Sequence, residues 1–204
     1  MNAAPAAEPN RVSEIVIVGG GTAGWMTAAA LAKVLGGSYS IRLVESEEIG
    51  IVGVGEATIP MIKLYNTALD LDENAFIRET KGSFKLGIEF VNWGQLGDSY
   101  IHAFGKIGQD LGTVAFYHYW LKMHQAGKAG RLEDYSINLL AAERNKFTRA
   151  TNQYKNNPLS DIGHAFHFDA GLYAKFLRKY SEERGVVRTE GKISSVQQHP
   201  ETGF

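Results

Sequence analysis

The chain has 204 residues, of which 44% are hydrophobic, enough for a core in one domain or one and a half. Its 21 basic and 22 acidic side chains leave a formal net charge of −1, so electrostatics give no reason to expect nucleic acid or an anionic membrane surface as partner. No cysteine is present, which excludes disulfides, thiolate metal sites and cysteine nucleophiles.

Residues 1–11 open with MNAAPAAEPN and lack the basic start and apolar centre of a signal peptide, so they are expected to form a disordered lead-in. No later run approaches membrane-spanning length, and a cytoplasmic location is the default expectation. Next comes EIVIVGGGTAGW, residues 14–25. Ile15–Val18 has the composition of a strand buried on both faces. Gly19, Gly21 and Gly24 follow at G-x-G-x-x-G spacing, and an alanine-rich helix over 23–35 ends at Gly36 and Gly37. In such a turn the first glycine permits the tight bend. The second lets backbone approach a pyrophosphate, and the third lets helix and strand pack closely. The helix N-terminus turns unpaired N–H groups and a positive dipole end toward the phosphates.

A second strand is expected over Ser40–Glu45, ending in an acid 21 residues beyond Gly24, where a ribose-binding carboxylate belongs. Strand, helix and acid agree, and a dinucleotide is expected here. Residues 49–60 (IGIVGVGEATIP) are rich in glycine without strand alternation and read as a loop lying close to the cofactor, with Glu56 and Thr58 as its polar groups. A helix is expected over 61–69, and a further one to about Thr80, capped by Asp72.

Residues 82–93 (GSFKLGIEFVNW) alternate as one period-two strand, Phe84, Leu86, Ile88 and Phe90 against Ser83, Lys85, Gly87 and Glu89. On the strand alone, Lys85 and Glu89 read as the wet face. The sharper reading is a lysine projected from a rigid strand into a cleft. Two helices are expected between Thr113 and Phe147, their aromatics filling a core or lining a substrate cleft. His118 reads as structural, and His164 with His167 lacks a partner at metal-ligand spacing. No metal site is expected. Asp169 should cap a helix ending near Gly185, with an apolar stripe of Leu172, Tyr173, Phe176, Leu177 and Tyr180. Lys192–Gln197 reads as a strand, followed by a hairpin turn at 199–203.

The pieces GGGTAGW (19–25), VGEATIP (54–60), GSFKLGIEFVNW (82–93), HYW (118–120) and HAFHFD (164–169) occur in that order. Together they resemble the N-terminal part of the flavin-dependent tryptophan halogenases, over nearly the whole chain after residue 12. The resemblance implies an α/β fold, an FAD/NAD(P)-binding Rossmann-like domain of the flavin monooxygenase type. Helical and strand insertions, at about 82–160, would form part of a substrate region. Residues 12–204 would then be an incomplete FAD-binding halogenase domain, because the family's chain is longer. Its W-x-W-x-I-P motif, a second carboxylate near the lysine and the halide site would all lie beyond residue 204.

The family uses reduced FAD from a separate flavin reductase, O₂ and chloride or bromide to make hypohalous acid. That acid meets a lysine, where tryptophan or another indole is halogenated. Lys85 stands at the catalytic position. Gly19, Gly20, Gly21, Thr22, Ala23, Gly24 and Glu45 match the pyrophosphate and ribose contacts. Val54, Gly55, Glu56 and Ala57 match the segment along the flavin, and Ile193 matches a strand at the adenine end. His102 and Phe104 match walls of the indole pocket. The segment from Gly94 to Ile101 is shorter and richer in glycine than in halogenases of free tryptophan, which implies a different acceptor. Two other readings stay open: a flavin monooxygenase, which needs no lysine at 85, and a non-catalytic relative that binds nucleotide or a partner.

Overall fold

The structure, a computed structural model, describes residues 12–50, 55–151 and 157–201. The lead-in and Val54 lie outside them. The chain divides into two compact units, one drawn from Met1–Glu56, Asn66–Gly82 and Phe168–Phe204, the other from Ala57–Tyr65 and Ser83–His167.

The first unit is built on a parallel sheet. Strand β1 (Glu14–Val18) leads through helix α1 (Thr22–Leu35) to β2 (Ser40–Glu45), which pairs with β1 in parallel from Glu14↔Ser40 to Val18↔Val44. A parallel pair needs a crossover, and α1 supplies it. Strand β3 (Gly55–Ala57) and helix α2 (Met61–Ala68) are each divided between the two units, and helix α3 (Glu73–Thr80) belongs to the first. The expected cap of α3 is present, with the Asp72 carboxylate accepting from the Ala75 N–H at 2.8 Å.

Later elements complete this unit. Helix α6 (Ala170–Glu182) is capped by Asp169, which accepts from the Leu172 N–H at 2.9 Å, and strand β8 (Val187–Glu190) pairs in parallel with β2. The strand order is β1-β2-β8. Helix α6 packs on α1 and α3, burying Tyr173, Ala174 and Leu177 with Trp25, Ala28 and Ala29 of α1. Phe76 is fully buried, edge-on to Phe168 and Tyr173 at 5.3 Å each.

The sequence expectation of a β1 buried on both faces is corrected. Val16 is 52% and Val18 60% exposed, because none of the described residues covers that face of β1. A second correction concerns residues 192–197, which form no strand. Parallel pairing with β2 is taken by Val187–Glu190 instead, and the polar segment beyond it has no pairing partner among the described residues. Of the expected hairpin turn, residues 202 and 203 lie outside the described residues. No described helix is long and apolar enough to cross a membrane.

The second unit holds strands β4 (Ser83–Lys85), β5 (Gly87–Val91) and β6 (Ser99–Ala103), helices α4 (Phe116–Gln125) and α5 (Ile137–Glu143), and the first residues of β7 (Ala165–Asp169). The single strand expected over 82–93 is two. Strand β4 pairs antiparallel with β7, whereas β5 pairs antiparallel with β6, and the chain changes partner at Leu86. Gly87 permits the corner: a Cβ there would stand 2.7 Å from the His102 carbonyl oxygen. Two other expectations are revised. The GEA of 55–57 is a short strand rather than loop, in a sheet of order β3-β7-β4. The second of the two helices expected between Thr113 and Phe147 is a 3-10 turn over Leu132–Tyr135 and then α5, restarted by the Ser136 hydroxyl accepting from the Leu139 N–H.

Candidate functional site

At the end of β1, Gly19 takes φ +105°, a left-handed conformation that side chains other than glycine rarely adopt. A Cβ on Gly24 would come within 1.9 Å of the Gly19 carbonyl oxygen, so a third glycine is required for α1 to start this close to β1. Gly21 is the N-cap of α1, and no side chain caps this 14-residue helix. Space beyond the Gly21 Cα is open, with no heavy atom within 4 Å of a Cβ built there. Uncapped N–H groups facing open space fit a pyrophosphate. Thr22 donates to the Ala170 carbonyl at 3.4 Å, and the Ala23 carbonyl accepts from the Thr27 hydroxyl.

Glu45 closes β2 beside this turn. Its carboxylate fills the space a Cβ on Gly20 would occupy, since that atom would meet Oε2 at 1.4 Å. Oε1 accepts from Arg188 Nε at 2.6 Å, and Oε2 from the indole N–H of buried Trp25 at 3.4 Å. Arg188 also reaches Glu47 at 3.0 Å and Glu190, and Arg178 stands 3.8 Å from both Glu45 and Glu47. The hydrogen bond that Arg188 donates to Glu45 is the main reason its guanidinium is held above its ordinary pKa. Neither Arg188 nor Trp25 was singled out from the sequence as a neighbour of this acid. Arg188 lies 143 residues away, and no motif announces it.

Gly55, Glu56 and Ala57 are exposed on β3. Thr58, just beyond, continues the pairing with β7: its N–H donates to the Phe166 carbonyl at 3.0 Å, and its hydroxyl oxygen accepts from the Phe166 N–H at 3.1 Å. Ile193 is exposed and outside any strand, so the strand expected to carry it to an adenine is not built.

In the second unit Lys85 ends β4 opposite Ala165 and is only 8% exposed. The wet-face reading fails because the change of partner at Leu86 breaks the alternation, burying Lys85 and Leu86 in succession. Lys85 Nζ lies 5.7 Å from the centroid of the Phe104 ring, and no carboxylate pairs with it among the described residues. It lines a cavity of about 430 Å³ with Glu89, Ile101, Phe147 and His167. The His167 imidazole is held below its ordinary pKa, first by burial and then by the Lys85 charge.

Phe104 is thus brought to Lys85, while His102, exposed on β6 opposite Ile88, is not among the residues lining this cavity. Glu89 and Ile101 also line a second cavity of about 740 Å³, walled by the stacked rings of Trp120 and His124 at 4.8 Å. His164 is buried edge-on to Phe84, Phe147 and Phe166, with Lys63 Nζ 3.4 Å from its Nδ1. His118 is exposed against Tyr117.

A glycine turn between a parallel strand and an uncapped helix, with an acid at the tip of the next strand, defines an α/β protein of the Rossmann-like class. A family profile described as tryptophan halogenase matches residues 14–204, and the chain belongs to that family. It is 33% identical over 204 residues to the tryptophan 7-halogenase RebH of Lentzea aerocolonigenes, covering 92% of this chain and 37% of the relative. Among solved structures it resembles a flavin-dependent halogenase from Xanthomonas campestris, with a TM-score of 0.86 and 47% identity over 94% of this chain and 38% of the other. BrvH, a flavin-dependent halogenase from Brevundimonas sp. BAL3, gives a TM-score of 0.85 and 44% identity over 95% of this chain and 38% of its own. The chain therefore spans well under half the length of the relatives it matches.

Proposed function

We propose that this chain carries the FAD-binding turn and the reactive lysine of a flavin-dependent halogenase acting on tryptophan or another indole. The observation that supports the reading best is Lys85, sunk in the wall of a cavity beside an aromatic ring with no carboxylate paired to it among the described residues. Lysine is seldom buried without a pairing partner, and one held there is one whose nitrogen is used. Residues 19–24 hold the pyrophosphate, Glu45 a ribose hydroxyl, and residues 55–57 run along the flavin. Phe104, beside Lys85, walls the indole.

When bound, reduced FAD supplied by a separate flavin reductase provides the electrons with which O₂ and chloride or bromide yield hypohalous acid. Lys85 acts on that acid. As an ammonium it donates an N–H to the hypohalous oxygen and makes the halogen more electrophilic. As a free amine it exchanges one N–H for an N–halogen bond, and water leaves. In both forms the halogen ends on an aromatic carbon, whose own proton departs. In the second, that exchange returns the lysine to the amine.

The reading is tested by supplying the purified full-length protein with a flavin reductase, FAD, bromide and indole under air, and analysing the products by mass spectrometry. Brominated indole is the expected product. Hydroxylated indole without bromine would assign a monooxygenase instead, and flavin binding without any product would assign a non-catalytic relative.

A further inference from the structure

If Glu45 takes the ribose, its own orientation needs an explanation, because a glutamate at a strand end has three free torsions and a solvated alternative. Four carboxylates, Glu45, Glu47, Glu182 and Glu190, surround two guanidiniums, Arg178 and Arg188. Arg178 is tied closest to Glu182, at 2.9 Å on its own helix, and stands off from Glu45 at 3.8 Å. Arg188 differs. It comes from the neighbouring strand of the same sheet, where Leu43↔Arg188 and Glu45↔Glu190 are in register, and its guanidinium is as enclosed as the Glu45 carboxylate, each 14% exposed.

The contact is directional. Arg188 Nε reaches Oε1, which leaves Oε2 turned to the glycine turn, against Gly20 and the Trp25 N–H. Each carboxylate oxygen has two lone pairs. With one taken on Oε2 by Trp25, a second remains on the side of the turn. We propose that Arg188, seconded by the Trp25 indole N–H, is the positioning residue of the adenosine half of the cofactor site. It pins one oxygen of Glu45 so that the other is presented to a ribose hydroxyl. It also neutralises the acids crowded around Glu45, so that a cofactor already carrying phosphate charge meets less repulsion there. This rests on the flavin reading above.

The test is a double-mutant cycle read by FAD binding rather than turnover, following flavin fluorescence on titration. Arg188→Met keeps the aliphatic stem and removes the guanidinium; it should weaken FAD at least roughly tenfold, as expected for a charge-assisted contact. ADP, measured by competition, should weaken by the same factor, since only the adenosine half is concerned. Arg188→Lys should recover part of the loss. In a Glu45→Gln background Arg188→Met should change the affinity by less than about twofold, because the group it positions has lost its charge. Trp25→Phe should cost less than Arg188→Met, in keeping with its longer contact.

A merely structural role, through the ion pairs to Glu47 and Glu190, would lower the unfolding temperature and weaken FAD equally in both backgrounds, which would overturn the inference. So would an unchanged FAD affinity in Arg188→Met. Failure of the unmodified protein to bind FAD at all would overturn the flavin reading itself, and is told apart by that control.

Discussion

Lys85 is only 8% exposed, with the Phe104 ring near it and His167 in the same cavity. His167 reports on it. Its folded value lies below the ordinary 6.5, so between the two values the unfolded chain binds more protons than the folded one. The His167 contribution to stability is therefore complete above about pH 6.5 and is lost as pH falls through the folded value. In Lys85→Met the titration of His167, followed by NMR, should move upward but stop short of 6.5, because burial is the larger cause and remains. An unmoved titration would mean the two groups do not share a field. At the glycine turn, Gly21→Val adds a side chain where the protein has nothing within 4 Å, at φ −67° and ψ 178°, which valine tolerates. Loss of the glycine N-cap should cost less than about 1 kcal/mol in a urea titration. FAD binding should be abolished, and undiminished flavin affinity would remove the pyrophosphate from this turn.

Local chemistry wrote several elements plainly into the sequence. The two aspartate caps, Asp72 and Asp169, and the β1–α1–β2 unit with its glycines fall within a residue or two of where the residue types place them. What was not legible depends on distant partners. GSFKLGIEFVNW alternates as one strand, and only the pairing of β4 with β7 and of β5 with β6 shows why it bends at Leu86 and buries Lys85. The strand at 187–190 was missed, and one at 192–197 expected, because β8 is defined by β2, more than a hundred residues earlier. For the corner itself, Gly87→Ala should lower stability by about 1–3 kcal/mol, since its Cβ would press on the backbone at His102 and Ala103; chemical denaturation measures this. The segment 94–101, expected to shape the substrate pocket, is a hairpin turn closed by Asn92 and Asp98, and its last residues enter β6. A second cavity shares Glu89 and Ile101 with that of Lys85, and the acceptor proposed for this hairpin is indole or a larger indole rather than free tryptophan. A bromination screen across these acceptors should show the higher turnover on one without the amino-acid group, and a wide preference for free tryptophan would refute that reading of the hairpin.

Over the whole molecule, the two units divide the chemistry proposed here: the glycine turn and Glu45 belong to the first, Lys85 and Phe104 to the second. FAD should accordingly slow amide hydrogen exchange most at residues 19–25 and around Glu45, with little change in α4. Uniform protection across the chain, or none at the turn, would count against that division. At a hundredfold excess over its dissociation constant, the cofactor should stabilise the protein by about 2.7 kcal/mol, measurable as a rise in unfolding temperature. The central claim is that the Lys85 nitrogen does the halogen transfer, and Lys85→Met tests it most directly by keeping most of the stem and removing the nitrogen. In the full-length protein, with reductase, FAD, bromide and indole supplied, the variant should retain FAD affinity and flavin oxidation by O₂ while losing brominated product by at least roughly 10²-fold, as for a deleted catalytic group. Brominated indole formed by Lys85→Met at near the unmodified rate would contradict the account.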